Sequence, residues 1–162
     1  MGKVCITVDS REEILYRAGV DIGSLTAKAV VLKGEEILAK ALVFTGYDAA
    51  QAGLAALSDA LSTASLEREE VTSIVSTGYG RAKLEGAGKT FTEILCHGRG
   101  AHFLEPLTRT VIDIGGQDSK VISLSPEGKV VNFAMNEKCA AGTGRFLEVM
   151  AHAMRVDLSD FG

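Results

Sequence analysis

GVDIGSLTAKAVVL (residues 19–32) and VIDIGGQDSKVI (residues 111–122) decide how this chain is read. Each ends an apolar run with an aspartate, one more apolar residue and a glycine: Asp21-Ile22-Gly23-Ser24 in the first, Asp113-Ile114-Gly115-Gly116 in the second. One chemistry explains these residue types. Glycine lets backbone N–H groups approach anionic oxygens with no Cβ in the way. A carboxylate beside phosphates is repelled unless it holds Mg²⁺, directly or through water. Two such segments facing one another would grip a polyphosphate and its metal from two sides. Ser24, Thr26 and Lys28 add hydroxyls and a cation after the first glycine. Gln117 and Asp118 add polar groups after the second, where one of the two could position an attacking water. A single copy reads as a strand end with a turn. Two copies in the same structural context make a site.

The surroundings repeat as well. Residues 17–22, Ala27 to Leu32 and Glu36 to Phe44 read as three strands, the last two joined by a tight turn at Lys33-Gly34-Glu35. Such a hairpin pairs antiparallel and belongs at a sheet edge. Asp48 is an expected N-cap, with Gln51 in capping-box position, and Leu54, Leu57 and Leu61 define the apolar face of the helix that follows. Val71 to Ser76 reads as a buried strand, and residues 98–106 as a short helix stopped near Pro106. The pattern then restarts. Thr110 to Ile114, Ser119 to Leu124 and Lys129 to Met135 read as strands, with a turn at Ser125–Gly128. Residues 143–155 read as a helix whose Phe146, Val149, Met150, Ala153 and Met154 share one stripe, taken as core. The order strand, Asp-x-Gly, strand, turn, strand, helix thus occurs twice, over about 17–63 and 109–155, a duplication of architecture rather than of detailed sequence.

Composition removes several classes. The chain has 162 residues, of which 46% are hydrophobic and 23% charged, the balance of an ordinary folded domain rather than a disordered chain. Net charge is −4, with no broad basic field for a nucleic-acid backbone. Eighteen glycines against two prolines suggest backbone lying close to something rather than a linker. No apolar run approaches the roughly 18 residues of a membrane helix, and neither a signal peptide nor a myristoylation site is visible. Three cysteines, Cys5, Cys96 and Cys139, have no disulfide or zinc-knuckle spacing, which points to a reducing, cytoplasmic setting. Cys96, His97 and His102 match no standard zinc pattern. His152 reads as a surface or packing histidine, Glu67, Glu69 and Glu70 as a solvated turn, and Arg81 and Lys83 as a solvated pair or as groups facing the cleft.

The doubled Asp-x-Gly hairpins resemble the superfamily of acetate kinases, sugar kinases, actin and the heat-shock ATPases. Within it, the chain resembles the ATPase activators of 2-hydroxyacyl-CoA dehydratases and the ATPase subunits of benzoyl-CoA reductases. The matching segments are GVDIGSLTAKAVVL (19–32), STGYGRAKL (76–84), EILCHGRGAHFL (93–104), VIDIGGQDSKVI (111–122) and NEKCAAGTGRFLEVMA (136–151). The last two are specific to the activators. Leu25 stands where the family usually has a second hydroxyl residue. The resemblance implies an α/β fold of duplicated ribonuclease-H-like, actin-like ATPase lobes with the second incomplete: an extension over 1–16, a first lobe over 17–108 and a partial second over 109–162. For the site it implies Asp21 and Asp113 as metal and phosphate organisers, Gly23, Ser24, Gly115 and Gly116 as phosphate contacts, ATP or ADP with Mg²⁺ as ligands, and Gln117 as the water-positioning residue.

Cys139 lies in Lys138-Cys139-Ala140-Ala141-Gly142-Thr143-Gly144-Arg145, just ahead of the last helix. A helix N-terminus carries unpaired N–H groups and partial positive charge, which lowers a thiol's pKa and suits an anionic ligand or cluster. Structural cysteine, reactive thiol and metal ligand all fit that setting. The resemblance implies the third: one [4Fe–4S] cluster shared across a homodimer, two cysteines from each subunit, Cys139 matching the first. It places the second cysteine, and the adenosine-binding segment, beyond Gly162, so the chain corresponds to about the first two-thirds of an activator. The function implied for the intact protein is ATP-driven transfer of one low-potential electron, from a reduced ferredoxin or flavodoxin to an acyl-CoA dehydratase or reductase partner. A sugar or acyl kinase of the same superfamily, and a non-catalytic remnant, are the alternatives.

Overall fold

Alternation sets the first sheet. In β1 (Tyr16–Ile22), Ala18, Val20 and Ile22 are buried on one face, and in β2 (Thr26–Lys33) Ala27, Ala29 and Val31 are buried beside them. β3 (Glu36–Phe44) continues the meander. β4 (Val71–Thr77) joins β1 in parallel, and the two-residue β5 (Lys89–Thr90) joins β4, giving the order β3-β2-β1-β4-β5. The expected edge hairpin is therefore present, with β3 outermost. The computed structural model describes residues 15–136 and 143–161.

α1 (Ala49–Ala64) covers one face of this sheet. Asp48 caps it, its carboxylate accepting hydrogen bonds from the N–H groups of Ala50 and Gln51 at 3.0 and 3.1 Å. Its buried face is Ala52, Gly53, Ala56, Leu57, Ala60 and Leu61, four of them small residues that bring the helix close to the strands. Leu54, expected on that face, is exposed. The close approach narrows the covered stripe, and Leu54 falls outside it.

α2 (Glu93–Leu104) starts five residues before the expected Gly98 and stops two before Pro106. Gly98 is tolerated inside it because the helix there lies against Ile122, Leu124 and Val130. α2 follows β5 of the first sheet and packs on the second, which is formed by β6 (Thr110–Ile114), β7 (Ser119–Leu124) and β8 (Val130–Asn136) in the order β6-β7-β8. Both pairings are antiparallel.

α3 (Gly144–Met154) forms as expected, but the described residues leave most of its stripe uncovered. Phe146, Val149 and Met154 are exposed, Met150 is half-buried, and Ala151 alone is buried within the helix. Periodicity reports that a helix has an apolar face; it does not report what covers it. His152 is exposed. Among the described residues no helix is long and apolar enough to cross a membrane.

Candidate functional site

The two Asp-x-Gly segments form the same local structure. In the first, Asp21 on β1 lies opposite Lys28 on β2; in the second, Asp113 on β6 lies opposite Lys120 on β7. Each loop is closed by the same bond. Gly23 N–H donates to the Thr26 carbonyl at 3.0 Å, and Gly115 N–H to the Asp118 carbonyl at 2.9 Å. Thr45, just past β3, secures the first loop: its hydroxyl donates to the Gly23 carbonyl at 2.8 Å and its N–H to the Leu25 carbonyl at 2.9 Å.

A cavity of about 530 Å³ lies between the two loops. Asp21, Gly23, Ser24, Thr26 and Lys28 line it from one side, and Asp113, Gly115, Gly116, Gln117 and Asp118 from the other. Every expected site residue that lies among the described ones is therefore on one cavity; Cys139 lies outside them. The loop tips also touch. Leu25 packs directly over Gly116, where a Cβ would meet the Leu25 Cγ at 2.7 Å. Behind the first hairpin, Gly78 holds φ +87° and comes close to Asp21, and a Cβ there would lie 2.6 Å from the Ile22 carbonyl oxygen. Only glycine suits both the left-handed backbone and that approach. Gly80 N–H donates to the same carbonyl at 2.8 Å, and Arg81 folds back so that its guanidinium donates to the Gly78 carbonyl. Arg81 is thus neither a solvated group nor part of the cavity lining.

The electrostatics of the two sides differ. Lys28 Nζ bonds Asp21 at 3.1 Å, and its side chain is 46% exposed. Lys120, 4% exposed, sits among three carboxylates: Asp118 at 2.7 Å, Glu93 at 3.3 Å and Asp113 at 3.3 Å. Burial opposes its charge, but the bond to Asp118 and the fields of Glu93 and Asp113 outweigh that and hold it well above the usual lysine value. His97 Nδ1 meets Asp113 Oδ2 at 2.8 Å. That bond, opposed by burial and aided by the His97 and Lys120 charges, brings the Asp113 carboxyl down from 3.8 to about 2. The same bond, against the cost of burial, raises His97 above 6.5, with Asp21 adding to the effect.

Glu93, His97 and Lys120 are functional candidates that residue types alone did not single out. Lys120 carried a signal: the step from aspartate to lysine is seven residues in both copies. Glu93 and His97 lie four residues apart, one turn of α2, but nothing in their own segment pointed at the second hairpin. Among the described residues no group of three or more His, Cys, Asp or Glu side chains gathers to hold a metal ion, Cys96, His97 and His102 included. Two separated carboxylates, each already bonded to a cationic partner, fit a metal held through its water shell.

Duplicated ribonuclease-H-like hairpins that bring two carboxylates and two glycine loops to one cleft define an actin-like ATPase fold. The chain belongs to the BadF/BadG/BcrA/BcrD ATPase family, whose model matches residues 18–162. It is 47% identical over 148 residues to the (R)-2-hydroxyglutaryl-CoA dehydratase activating ATPase of Acidaminococcus fermentans, covering 90% of this chain and 56% of that protein. The crystal structure of the A. fermentans (R)-2-hydroxyglutaryl-CoA dehydratase component A superposes with a TM-score of 0.85, at 47% identity over 90% of this chain and 56% of that one. The activator of the 2-hydroxyisocaproyl-CoA dehydratase from Clostridium difficile, solved with bound ADPNP, superposes at 0.83 with 46% identity, over 91% of this chain and 55% of that one. The chain thus spans about half the length of the relatives it matches.

Proposed function

We propose that the intact protein is an ATP-dependent activator that passes one low-potential electron to a 2-hydroxyacyl-CoA dehydratase-type partner. The observation that carries this reading is the pair of hairpins with Asp21 and Asp113 on opposite sides of one cavity, in a chain 46–47% identical to dehydratase activators. The relative with bound ADPNP supports a nucleoside triphosphate as the ligand. Backbone N–H groups of the Gly23–Ser24 and Gly115–Gly116 loops would bind the phosphates, with the Thr26 hydroxyl beside them. Lys28, with one carboxylate partner and a half-exposed head, is the cation free to turn to a phosphate. Lys120 is committed to three carboxylates and Asp118 to Lys120, so both hold the loop's shape. Asp21 and Asp113 would hold the hydrated Mg²⁺, which supplies charge against the phosphate oxygens when bound. Gln117, exposed at the second loop tip, would orient the water that attacks the terminal phosphate, giving ADP and phosphate.

A direct link runs from this loop to the last helix. Gly144, the first residue of α3, donates its N–H to the Gly115 carbonyl at 2.9 Å. A shift of the Gly115 loop on phosphate binding would therefore move the α3 N-terminus, five residues after Cys139. On the sequence resemblance, Cys139 is a ligand of a [4Fe–4S] cluster shared across a homodimer, which supplies a one-electron couple when bound. A reduced ferredoxin or flavodoxin is the proposed donor, in a cytoplasmic setting. The sugar-kinase alternative gains only a shared fold, through a Thermus thermophilus ROK hexokinase at 16% identity and a TM-score of 0.54.

ATP hydrolysis and one-electron reduction of a 2-hydroxyacyl-CoA dehydratase, followed in the same preparation, test this reading. Cys139→Ala should keep hydrolysis and abolish electron transfer. Phosphoryl transfer to a sugar or acyl acceptor, undiminished in Cys139→Ala, would contradict it.

A further inference from the structure

The two site carboxylates occupy the same place in their hairpins but differ in what holds them. Among the described residues, Lys28 is the side chain that bonds Asp21, and that lysine is half exposed. Asp113 is held by two groups, Lys120 from its own hairpin and His97 from α2. Both bonds fall on Oδ2, which leaves Oδ1 as the oxygen for an incoming ligand. Asp113 faces the Lys120 ammonium as a carboxylate and can only accept. The Nδ1 of His97 must therefore be the N–H tautomer or the imidazolium, donating to Oδ2. Glu93, one turn earlier on α2, holds Lys120 from the other side. The helix leaving the first sheet thus braces the carboxylate of the second hairpin. The lysine alone would leave it less constrained, because an ammonium is a point charge that accepts many geometries, whereas a planar imidazole fixes direction.

We propose that His97 is a positioning residue of the nucleotide site, fixing the Asp113 carboxylate through Nδ1–H so that Oδ1 is presented to the hydrated Mg²⁺ of a bound nucleotide. The assignment rests on the nucleotide-binding part of the proposed function and adds a residue to it. Partners that orient a metal-facing group from behind contribute about 10- to 100-fold in affinity. His97 would do so through the Oδ2 side of the carboxylate.

The test is the Mg²⁺ dependence of ADP binding by calorimetry, on the intact protein and on its His97→Ala, His97→Asn and His97→Gln variants. An asparagine amide falls near the imidazole Nδ1 and can still donate to Asp113; a glutamine amide falls near Nε2 and cannot. His97→Ala and His97→Gln should raise the Mg²⁺ concentration needed for tight ADP binding by about tenfold. Metal-free ADP binding should be unchanged, and His97→Asn should lie within about twofold of the wild type. A merely structural histidine would move metal-free binding and Mg²⁺-dependent binding together. If His97→Ala fails to fold, the contrast between the asparagine and glutamine variants decides. Wild-type Mg²⁺ dependence in His97→Gln, or equal loss in His97→Asn and His97→Gln, overturns the assignment alone. A wild-type protein that binds no ADP with Mg²⁺ overturns the assignment together with the nucleotide reading beneath it.

Discussion

The β1–β2 and β6–β7 hairpins share a register, a loop-closing bond and an aspartate–lysine pair, yet their apolar faces end in opposite environments. Val20 and Ile22, which flank Asp21, are 1% and 0% exposed under α1. Ile112 and Ile114, which flank Asp113 in the same way, are 71% and 62% exposed. The polar faces differ in the other direction: Lys120 is buried among carboxylates braced by α2, and Lys28 is open to solvent. The site geometry is therefore local, written into each hairpin. Burial is tertiary, decided by which helix lies on which face.

The largest effects should follow that division. In this 162-residue chain Ile22→Ala should lower stability by ~4 kcal/mol, within the range for emptying a packed core site, while Ile114→Ala should cost less than ~0.5 kcal/mol. Chemical denaturation of the two variants measures the contrast, and equal losses would break the comparison. Next comes the lysine pair. Lys120→Met leaves Glu93, Asp113 and Asp118 facing one another without their cation and should cost ~2 kcal/mol, since those carboxylates keep some contact with water. Lys28→Met should cost less than ~1 kcal/mol in stability, as exposed pairs do, and should show its effect in weaker ADP binding. A Lys120→Met protein of wild-type stability would sink this account of the second hairpin.

A smaller coupling joins the loop tips. Gly116→Ala must displace Leu25, and Leu25→Ala opens that space, so the double variant should recover ~1 kcal/mol relative to the sum of the singles. Additive melting data would show that the tips do not press on one another.

Much of this was legible in the residues. Alternation, turn glycines and the Asp48 cap located the strands and α1 closely, because those signals act within a few residues. Leu54 and the α3 stripe misled, because an apolar periodicity gives a direction and not a covering surface. The start of α2 was missed because Gly98 and Gly100 look like breakers until the packing on Ile122 and Leu124 is seen. His97 and Glu93 act across 16 and 27 residues of chain on Asp113 and Lys120, a relation that only the fold creates.

The smallest expected effect is the pH dependence of the Asp113–His97 pair in Mg²⁺-free buffer. Asp113 titrates lower in the folded chain, so its contribution is present above 3.8 and is lost as pH falls through about 2. His97 titrates higher, so its contribution is complete below 6.5 and is lost as pH rises through its raised value. Melting temperature compared between wild type and His97→Asn should therefore differ most at mildly acidic pH and converge above neutrality. A difference that grows with rising pH would reverse the assigned sign.

The central claim is that both hairpins grip one nucleotide together. Calorimetric titration of the intact protein with ADP and Mg²⁺, repeated for Asp21→Asn and Asp113→Asn, tests it most directly. One site per chain is expected, weakened at least about tenfold by either substitution, because each would remove one of the two carboxylates proposed to face the same metal. Wild-type affinity in either variant, or two independent sites, would contradict it.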